Sequence, residues 1–355
     1  MIIDSDVVNN IYTRMGDDLS RRIFTDRLMY SLSEDSCFLE DLVSTTQPGF
    51  ALLDKIKKLK EENKEIIIYG AGVSGRSLYA TYKKYIDFFV DKNCDNCKAT
   101  EIPILPLCDL CKHTDAYIMV SLSYSFGEEN YRELLKFLIE QGFREEQILA
   151  PHYHCYHYFT EKIYFDLPFI NWIKNFTFLD IGSYDGANSI QFLNYYKNKV
   201  GVGTPEVIAV EPGLKYCCEL EKVASLAKQQ GAEFNSINCG VCDTTGKVKF
   251  KITHSGMLVK DINGSLEVNC RTVDDILCGK KVDLIKMDIE GCEYNALKGT
   301  INTISKYKPQ LAISIYHKAE DIIKLPELIM NMNLDYRFYL RHYTIEAGDT
   351  VLYAI

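Results

Sequence analysis

Apolar residues along this chain follow two rhythms, and the change from one to the other divides it. Up to about residue 62 they recur at helical spacing: Val7, Val8, Ile11 and Tyr12, then Ile23, Leu28, Met29 and Leu32, then the amphipathic run Ala51–Lys60. The pattern predicts a helical segment over 1–62, a cap, linker or dimerisation element without chemistry of its own. From residue 63 onward, short continuous apolar runs alternate with helical periodicity. That alternation predicts α/β architecture, with parallel sheets and crossover helices.

Two such sets are present. The first, over 63–151, has apolar runs at 66–69, 88–91, 104–105 and 117–122, an amphipathic helix Asn130–Gln141 closing at Gly142, and a last short strand in Gln147–Pro151. Residues 152–175 read as an aromatic linker containing His152, His154 and His157, with Trp172 on a helix leading out of it. The second set covers 176–355. Its strands are expected at Phe178–Ile181, Val207–Val210, Phe234–Cys242, Val282–Gly291 and Gln310–His317, with Lys247–Thr253 and Ser265–Arg271 as an antiparallel pair. A short helix begins in Arg271–Ile276, another spans Asp321–Asn331, and Tyr336–Tyr343 with Thr350–Ile355 suit an antiparallel edge hairpin. The fold class is thus α/β with two Rossmann-like domains after a helical segment.

Each set contains a strand, a glycine turn and a helix. In the second, Phe178-Leu-Asp-Ile-Gly-Ser-Tyr-Asp-Gly186 brings backbone N–H groups and a helix N-terminus to a strand end, where glycine lets a ligand approach. The spacing is neither that of dinucleotide sites nor that of phosphate loops, and no lysine follows to hold a phosphate. The next strand ends in Glu211-Pro212, an acid placed to accept both hydroxyls of a ribose. An adenosyl group carrying a sulfonium fits these parts, so the expected cofactor is S-adenosylmethionine. Its candidate contacts are Asp180, Gly182, Ser183, Tyr184, Asp185, Gly186, Glu211 and Pro212, with Asp243 on the following turn.

In the first set, Gly70, Gly72 and Gly75 match the dinucleotide fingerprint, and Asp91 stands about twenty residues on, where a ribose acid belongs. These four residues are a candidate second site for NAD or another nucleotide. The same glycines also serve to pack a helix on a sheet, and both readings stand.

Chemistry in open α/β sheets lies at the carboxyl ends of the strands. There the sequence offers Lys286, Asp288 and Glu290, two apart, so an extended strand puts all three on one face. Paired acids beside a lysine align a hydroxyl, remove its proton or hold a cation. The alternative is a salt-bridged strand end, since Gly291 and Glu293 also suit a helix N-terminus. His317 ends the next strand as a candidate base. His254, in the loop 254–257, and Arg341, His342 and Tyr343 are candidate substrate contacts.

Composition narrows the partners. At 355 residues and 47% hydrophobic, the chain can build two cores. A formal charge of −9 and a pI near 5.4 argue against nucleic acid. No apolar run approaches the roughly 18 to 20 residues of a membrane span. The acidic start Met1–Asp6 has no basic region or apolar stretch of a signal peptide, so the expected location is cytoplasmic. The 13 cysteines suit reduced thiols. Cys94 with Cys97 and Cys108 with Cys111 could make a zinc site, but their separation is shorter than ribbon spacing, and the expectation is no metal.

The motifs Phe178–Gly186, Val210-Glu-Pro212, Arg271-Thr-Val-Asp-Asp-Ile276, Ile285-Lys-Met-Asp-Ile-Glu-Gly-Cys-Glu293 and Thr350-Val-Leu-Tyr-Ala354 resemble the FkbM family of S-adenosylmethionine-dependent methyltransferases, over about 176–355. The resemblance implies a seven-stranded sheet, a cofactor held by Asp180, Gly182 and Glu211, and methylation of hydroxyls on sugars or secondary metabolites. The base can be Asp288, Glu290 or His317. The reading is an O-methyltransferase for a sugar or glycoconjugate precursor, with a homodimer open. The rivals are a nicotinamide- or nucleotide-sugar-dependent enzyme using the first glycine motif, and a non-catalytic ligand sensor.

Overall fold

The computed structural model describes residues 4–97, 100–122, 127–252 and 258–355. His254 lies outside them. Contacts gather the chain into two compact units: Thr25–Glu161 with His342–Gly348, and the residues up to Phe24 with Lys162–Arg341 and Asp349–Ile355.

The helical start is four helices: α1 (Ser5–Arg14), α2 (Asp18–Ser33), α3 (Ser36–Val43) and α4 (Gln47–Glu61). Side chains that accept from a backbone N–H set the breaks, Asp35 opening α3 through Cys37 and Thr46 opening α4 through Gly49. The expected segment 1–62 is therefore divided, with residues before Thr25 in one unit and those after in the other.

In the first unit β1 (Ile66–Tyr69), α5 (Val73–Tyr82), β2 (Phe88–Asp91), β3 (Ile104–Pro106), β4 (Tyr117–Val120), α6 (Gly127–Glu140) and β5 (Ile148–Leu149) make a parallel sheet of order β3-β2-β1-β4-β5. The expected linker begins as α7 (Pro151–Thr160), with proline at its first turn, where its missing N–H costs nothing. Trp172 is not helical; it lies in a loop, stacked on Phe192 at 6.0 Å between ring centroids.

The second unit runs β6 (Thr177–Ile181), α8 (Ala187–Lys199), β7 (Glu206–Val210), α9 (Cys217–Gln229), β8 (Glu233–Ile237), β9 (Gly240–Val241), β10 (Gly246–Ile252), β11 (Leu258–Lys260), β12 (Leu266–Arg271), α10 (Val273–Leu277), β13 (Leu284–Met287), α11 (Glu293–Lys298), α12 (Ile301–Tyr307), β14 (Gln310–Ser314), α13 (Asp321–Met330), β15 (Phe338–His342) and β16 (Thr350–Ala354). Seven strands form one sheet in the order β15-β16-β14-β13-β6-β7-β8. β6, β7, β8, β13 and β14 are parallel, and β16 enters antiparallel beside β14. The central strands are buried along their length because crossover helices cover both faces. A smaller sheet, β11-β10-β12-β9, carries the antiparallel pair expected from the alternation.

Three strands end sooner than the apolar runs suggest. The run 234–242 breaks after Ile237, where the Asn238 amide donates to the Glu211 carbonyl at 2.9 Å. β13 stops at Met287 and β14 at Ser314, so Asp288, Glu290 and His317 stand on turns beyond the strand ends. Among the described residues no helix is long and apolar enough to cross a membrane.

The substrate role expected for Arg341, His342 and Tyr343 is corrected by packing. Arg341 is ion-paired to Asp17 at 2.6 Å and lies over the Phe169 ring, while His342 and Tyr343 are buried. Burial, aided by nearby Arg27, pushes His342 down from 6.5 to about 3. The folded protein thus keeps this histidine neutral where the unfolded chain takes a proton. Its contribution to stability is complete above pH 6.5 and is lost as the pH falls toward 3. Denaturation followed by circular dichroism should show stability falling by up to about 1.4 kcal/mol per pH unit in that window. His342→Gln should flatten the slope; an unchanged slope would remove His342 as its source.

Candidate active site

At the centre of the second unit's sheet, Asp180 on β6 and Lys286 on β13 are register partners and form an ion pair of 3.1 Å. Both side chains are shut off from solvent, at 0% and 1% exposure. The pair is built into a network: Ser189 on α8 donates its hydroxyl to Asp180 at 2.8 Å, and Lys286 donates to the Gly182 carbonyl at 2.7 Å. Lys286 therefore has a holding role, not the catalytic one expected of it. Asp180 likewise shapes the turn from beneath.

The turn so held has Gly182 and Gly186 left-handed, at φ 77° and 83°, with Tyr184 between them at 51°. A Cβ on Gly182 would come within 2.0 Å of the Asp288 carbonyl, so glycine is required there for close packing as well as for conformation. The Gly182 and Ser183 amides donate to the Val210 carbonyl, at 2.9 and 3.2 Å. Asp185 accepts from the Ala187 N–H at 3.0 Å at the start of α8.

Glu211 stands at the tip of β7. Its two oxygens accept N–H groups from Tyr184 at 3.0 Å and Gly213 at 2.8 Å. Burial raises its carboxyl above the ordinary value against the pull of those N–H groups. Ser183, on the same turn, is buried, and among the described residues its hydroxyl has no hydrogen-bond partner. The Tyr184 ring packs against Tyr216 at 4.1 Å. Past Glu211 opens a groove of about 430 Å³, lined by Pro212, Gly213 and Leu214 on one side and by Ile252, Leu266 and Val268 on the other. Asp243 follows β9, within 3.2 Å of the Cys242 thiol.

Beyond β13 the chain turns through two left-handed residues, Glu290 at φ 57° and Gly291 at 87°. The face that Lys286, Asp288 and Glu290 were expected to share does not exist, because the extended strand has already ended. Glu293, at the start of α11, accepts the Ile289 N–H at 2.8 Å and fixes the turn. Its side chain meets His317 Nδ1 at 3.0 Å, while His317 Nε2 faces Asp288 at 3.5 Å and Glu290 at 3.8 Å. Burial opposes a charge on His317, but Glu293 and then Asp288 and Glu290 outweigh it and raise the imidazole to about 9. Burial also pushes on Asp288, yet Lys286, His317 and the Tyr164 hydroxyl, which donates to Asp288 at 2.9 Å, hold its carboxyl lowered. Glu290 is raised by burial, with His317 pulling the other way. Asp321, behind the cluster, is raised to about 6 by burial and then by Glu293.

The turn after β13 brings Asp288 and Glu290 to His317. The arrangement adds Glu293, read from sequence only as a helix start, and Tyr164, hidden in the supposed linker with no local signal. Tyr316 completes the surround at 3.4 Å from Asp288.

The glycines of the first motif are closely packed. Gly70 is left-handed at φ 99°, and a Cβ on Gly75 would lie 1.9 Å from the Gly70 carbonyl. Each oxygen of Asp91 accepts one N–H, from Ala71 and from Asn93, both at 2.8 Å. Cys94 sits on the short helical turn Cys94–Asn96, with Cys97 just after it, and Cys108 and Cys111 lie on a second turn, Leu107–Lys112. Among the described residues these sulfurs do not form a close ligand set.

Residues 180–344 match the family described as Methyltransferase FkbM domain, and this part of the chain is identified by that match as an FkbM methyltransferase domain. The fold is similar to that of the crystal structure of Methyltransferase FkbM from Methylobacillus flagellatus KT, at 18% identity and TM-score 0.52, covering 92% of this chain and 100% of that one. A further likeness, to the precorrin-6y C5,15-methyltransferase of Geobacter metallireducens GS-15, has 10% identity and TM-score 0.32 over 52% of this chain and 82% of that one, and carries no argument. No curated protein matches.

Removing one partner of a buried pair strands the other charge in the core. Lys286→Met should cost roughly 3–5 kcal/mol of stability in this unit. The single tryptophan, Trp172, lies in this unit and reports its urea unfolding by fluorescence. A loss below about 1 kcal/mol would show that the pair is not holding the turn.

Proposed function

We propose that the chain is an S-adenosylmethionine-dependent O-methyltransferase. The observation that carries the reading is Glu211, a carboxylate fixed at a strand tip by two backbone N–H groups beside a left-handed glycine turn. With one N–H on each oxygen, its remaining lone pairs are free for the two hydroxyls of a ribose. Three further features fit an adenosyl sulfonium. The Ser183 hydroxyl is a buried polar group without a partner among the described residues, the groove after Pro212 offers Leu214, Ile252 and Leu266 to a flat apolar ring, and Glu211 is an anion close to where a positive sulfur belongs. When bound, the cofactor supplies an electrophilic methyl group that an oxygen nucleophile displaces.

The residues of this chain do the rest. The turn over the Asp180–Lys286 pair orients Glu211 through the Tyr184 N–H, and the turn after β13 brings acids to the neighbouring strand end. Glu290 is the group we assign as acceptor of the hydroxyl proton. It is 28% exposed against 8% for His317, and among the described residues its side chain is paired with His317 at 3.8 Å, whereas Asp288 is engaged by Tyr164 and Tyr316. Asp288 and Glu290 together form a carboxylate rim suited to the paired hydroxyls of a sugar or glycoconjugate precursor, the acceptor class we assign. Alignment of acceptor and donor supplies much of the rate in such a displacement.

Titration calorimetry should detect S-adenosylmethionine binding, and Glu211→Ala should weaken it by about 1–3 kcal/mol. Binding that ignores this change would remove the ribose assignment. With a sugar acceptor found by scoring S-adenosylhomocysteine formation, Glu290→Gln should lower kcat by roughly 10²–10⁴ while cofactor affinity stays put. A loss confined to KM would make Glu290 a binding group only.

A further inference from the structure

We infer that Asp288, Glu293 and His317 form a binding site for one divalent cation. Among the described residues they are the group of acid and imidazole side chains whose ligand atoms all lie within 4.8 Å of one another. Bonds of roughly 2.0–2.2 Å let one ion bridge ligand atoms up to about 4.4 Å apart, and the 3.5 Å from His317 Nε2 to Asp288 lies within that reach. The cluster is enclosed: the side chains of Glu293 and His317 are 1% and 8% exposed, and Asp288 forms its open edge at 26%.

A second observation points the same way. Glu293 uses Oε1 twice, accepting the Ile289 N–H at 2.8 Å and meeting His317 Nδ1 at 3.0 Å. Among the described residues its Oε2 has no hydrogen-bond partner, although the side chain is fully buried. A carboxylate oxygen left bare in the interior is costly, and a cation removes the cost.

Charge counting agrees. Asp288, Glu290, Glu293 and Asp321 face one another from the turn after β13, from α11 and from the start of α13. Against them stand His317 and Lys318, and the Lys318 ammonium is turned to the Gly291 carbonyl. Lys286, which also acts on Asp288, is paired to Asp180. Acids exceed cations here, which is the balance a divalent ion corrects.

Two carboxylates and an imidazole favour manganese or zinc over calcium, which takes oxygen ligands, and over copper(I), which seeks sulfur. Glu290 lies at the rim, free to touch the acceptor, so the cation would sit where it draws in and polarises a pair of hydroxyls. That role rests on the methyl-transfer reading; the site itself does not.

The test uses the full chain, freed of metal with EDTA. Manganese chloride is titrated in and free Mn²⁺ followed by electron paramagnetic resonance. One bound ion per chain is expected, displaced by zinc chloride, and bound at least about tenfold more weakly by Asp288→Asn and by His317→Gln. In the unsubstituted protein, bound Mn²⁺ should broaden the His317 imidazole resonances before those of other histidines, which keeps the test independent of whether the variants fold. Absence of binding, wild-type affinity in both natively folded variants, or broadening that spares His317 would overturn the inference. Parallel titration with S-adenosylmethionine separates the two claims. Cofactor binding without Mn²⁺ sinks the cation site alone, and Mn²⁺ binding without the cofactor sinks the methyltransferase reading alone.

Discussion

The Asp180–Lys286 ion pair holds the central strands of the second unit in the relation on which the candidate site depends. Taking two charges out of water is expensive, and their attraction offsets the cost only when further hydrogen bonds saturate both groups. Here Ser189 serves the carboxylate and the Gly182 carbonyl serves the ammonium. Because the two residues are cross-strand neighbours, the pair resists slippage of β6 against β13. Because Lys286 also grips the turn, the Gly182 carbonyl points inward and the amides beyond it are left for Val210 and Glu211. A shift in either strand would misaim the Glu211 carboxylate, which is the group with the most to say about ligand.

A second constraint acts at the end of β13. Placing Glu290 in the left-handed region costs on the order of 1–2 kcal/mol for a residue with a Cβ. The Glu293 side chain offsets part of this by accepting the Ile289 N–H, and Gly291 takes the next left-handed position at little cost. What the strain achieves is direction. A strand continued through residue 293 would keep Asp288 and Glu290 on one face and send Glu293 to the other. The turn instead collects Asp288, Glu290 and Glu293 around one histidine.

Most of the sheet was legible from short apolar runs, because strands covered on both faces need apolar residues throughout. Strand ends were not, since Asp288 and His317 continue the alternation on paper while the backbone has already turned. Lys286 shows the same limit: a charged residue in a buried strand reads as chemistry until its partner across the sheet is seen. Glu211 was legible because its place depends only on the strand before it. Tyr164 and the buried Glu293 oxygen were not, because each acquires meaning from residues far away in sequence. His342 misled in the opposite sense, looking like a free polar group at a strand end and proving to be core.

The two glycine turns of the chain make the general point. Both follow a buried parallel strand, both contain left-handed glycine, and both are followed by a strand ending in an acid. At Gly70 that acid, Asp91, closes its own turn by accepting from Ala71 and Asn93, and Gly75 is there because a side chain would strike the Gly70 carbonyl. At Gly182 the acid is one carbon longer, and one N–H reaches each oxygen of Glu211 while a groove opens beside it. The same local pattern thus leaves each carboxylate one N–H on each oxygen. What separates the two turns is not the share the backbone takes, which is one N–H per oxygen at each carboxylate, but the groove that Leu214, Ile252 and Leu266 line beyond Glu211.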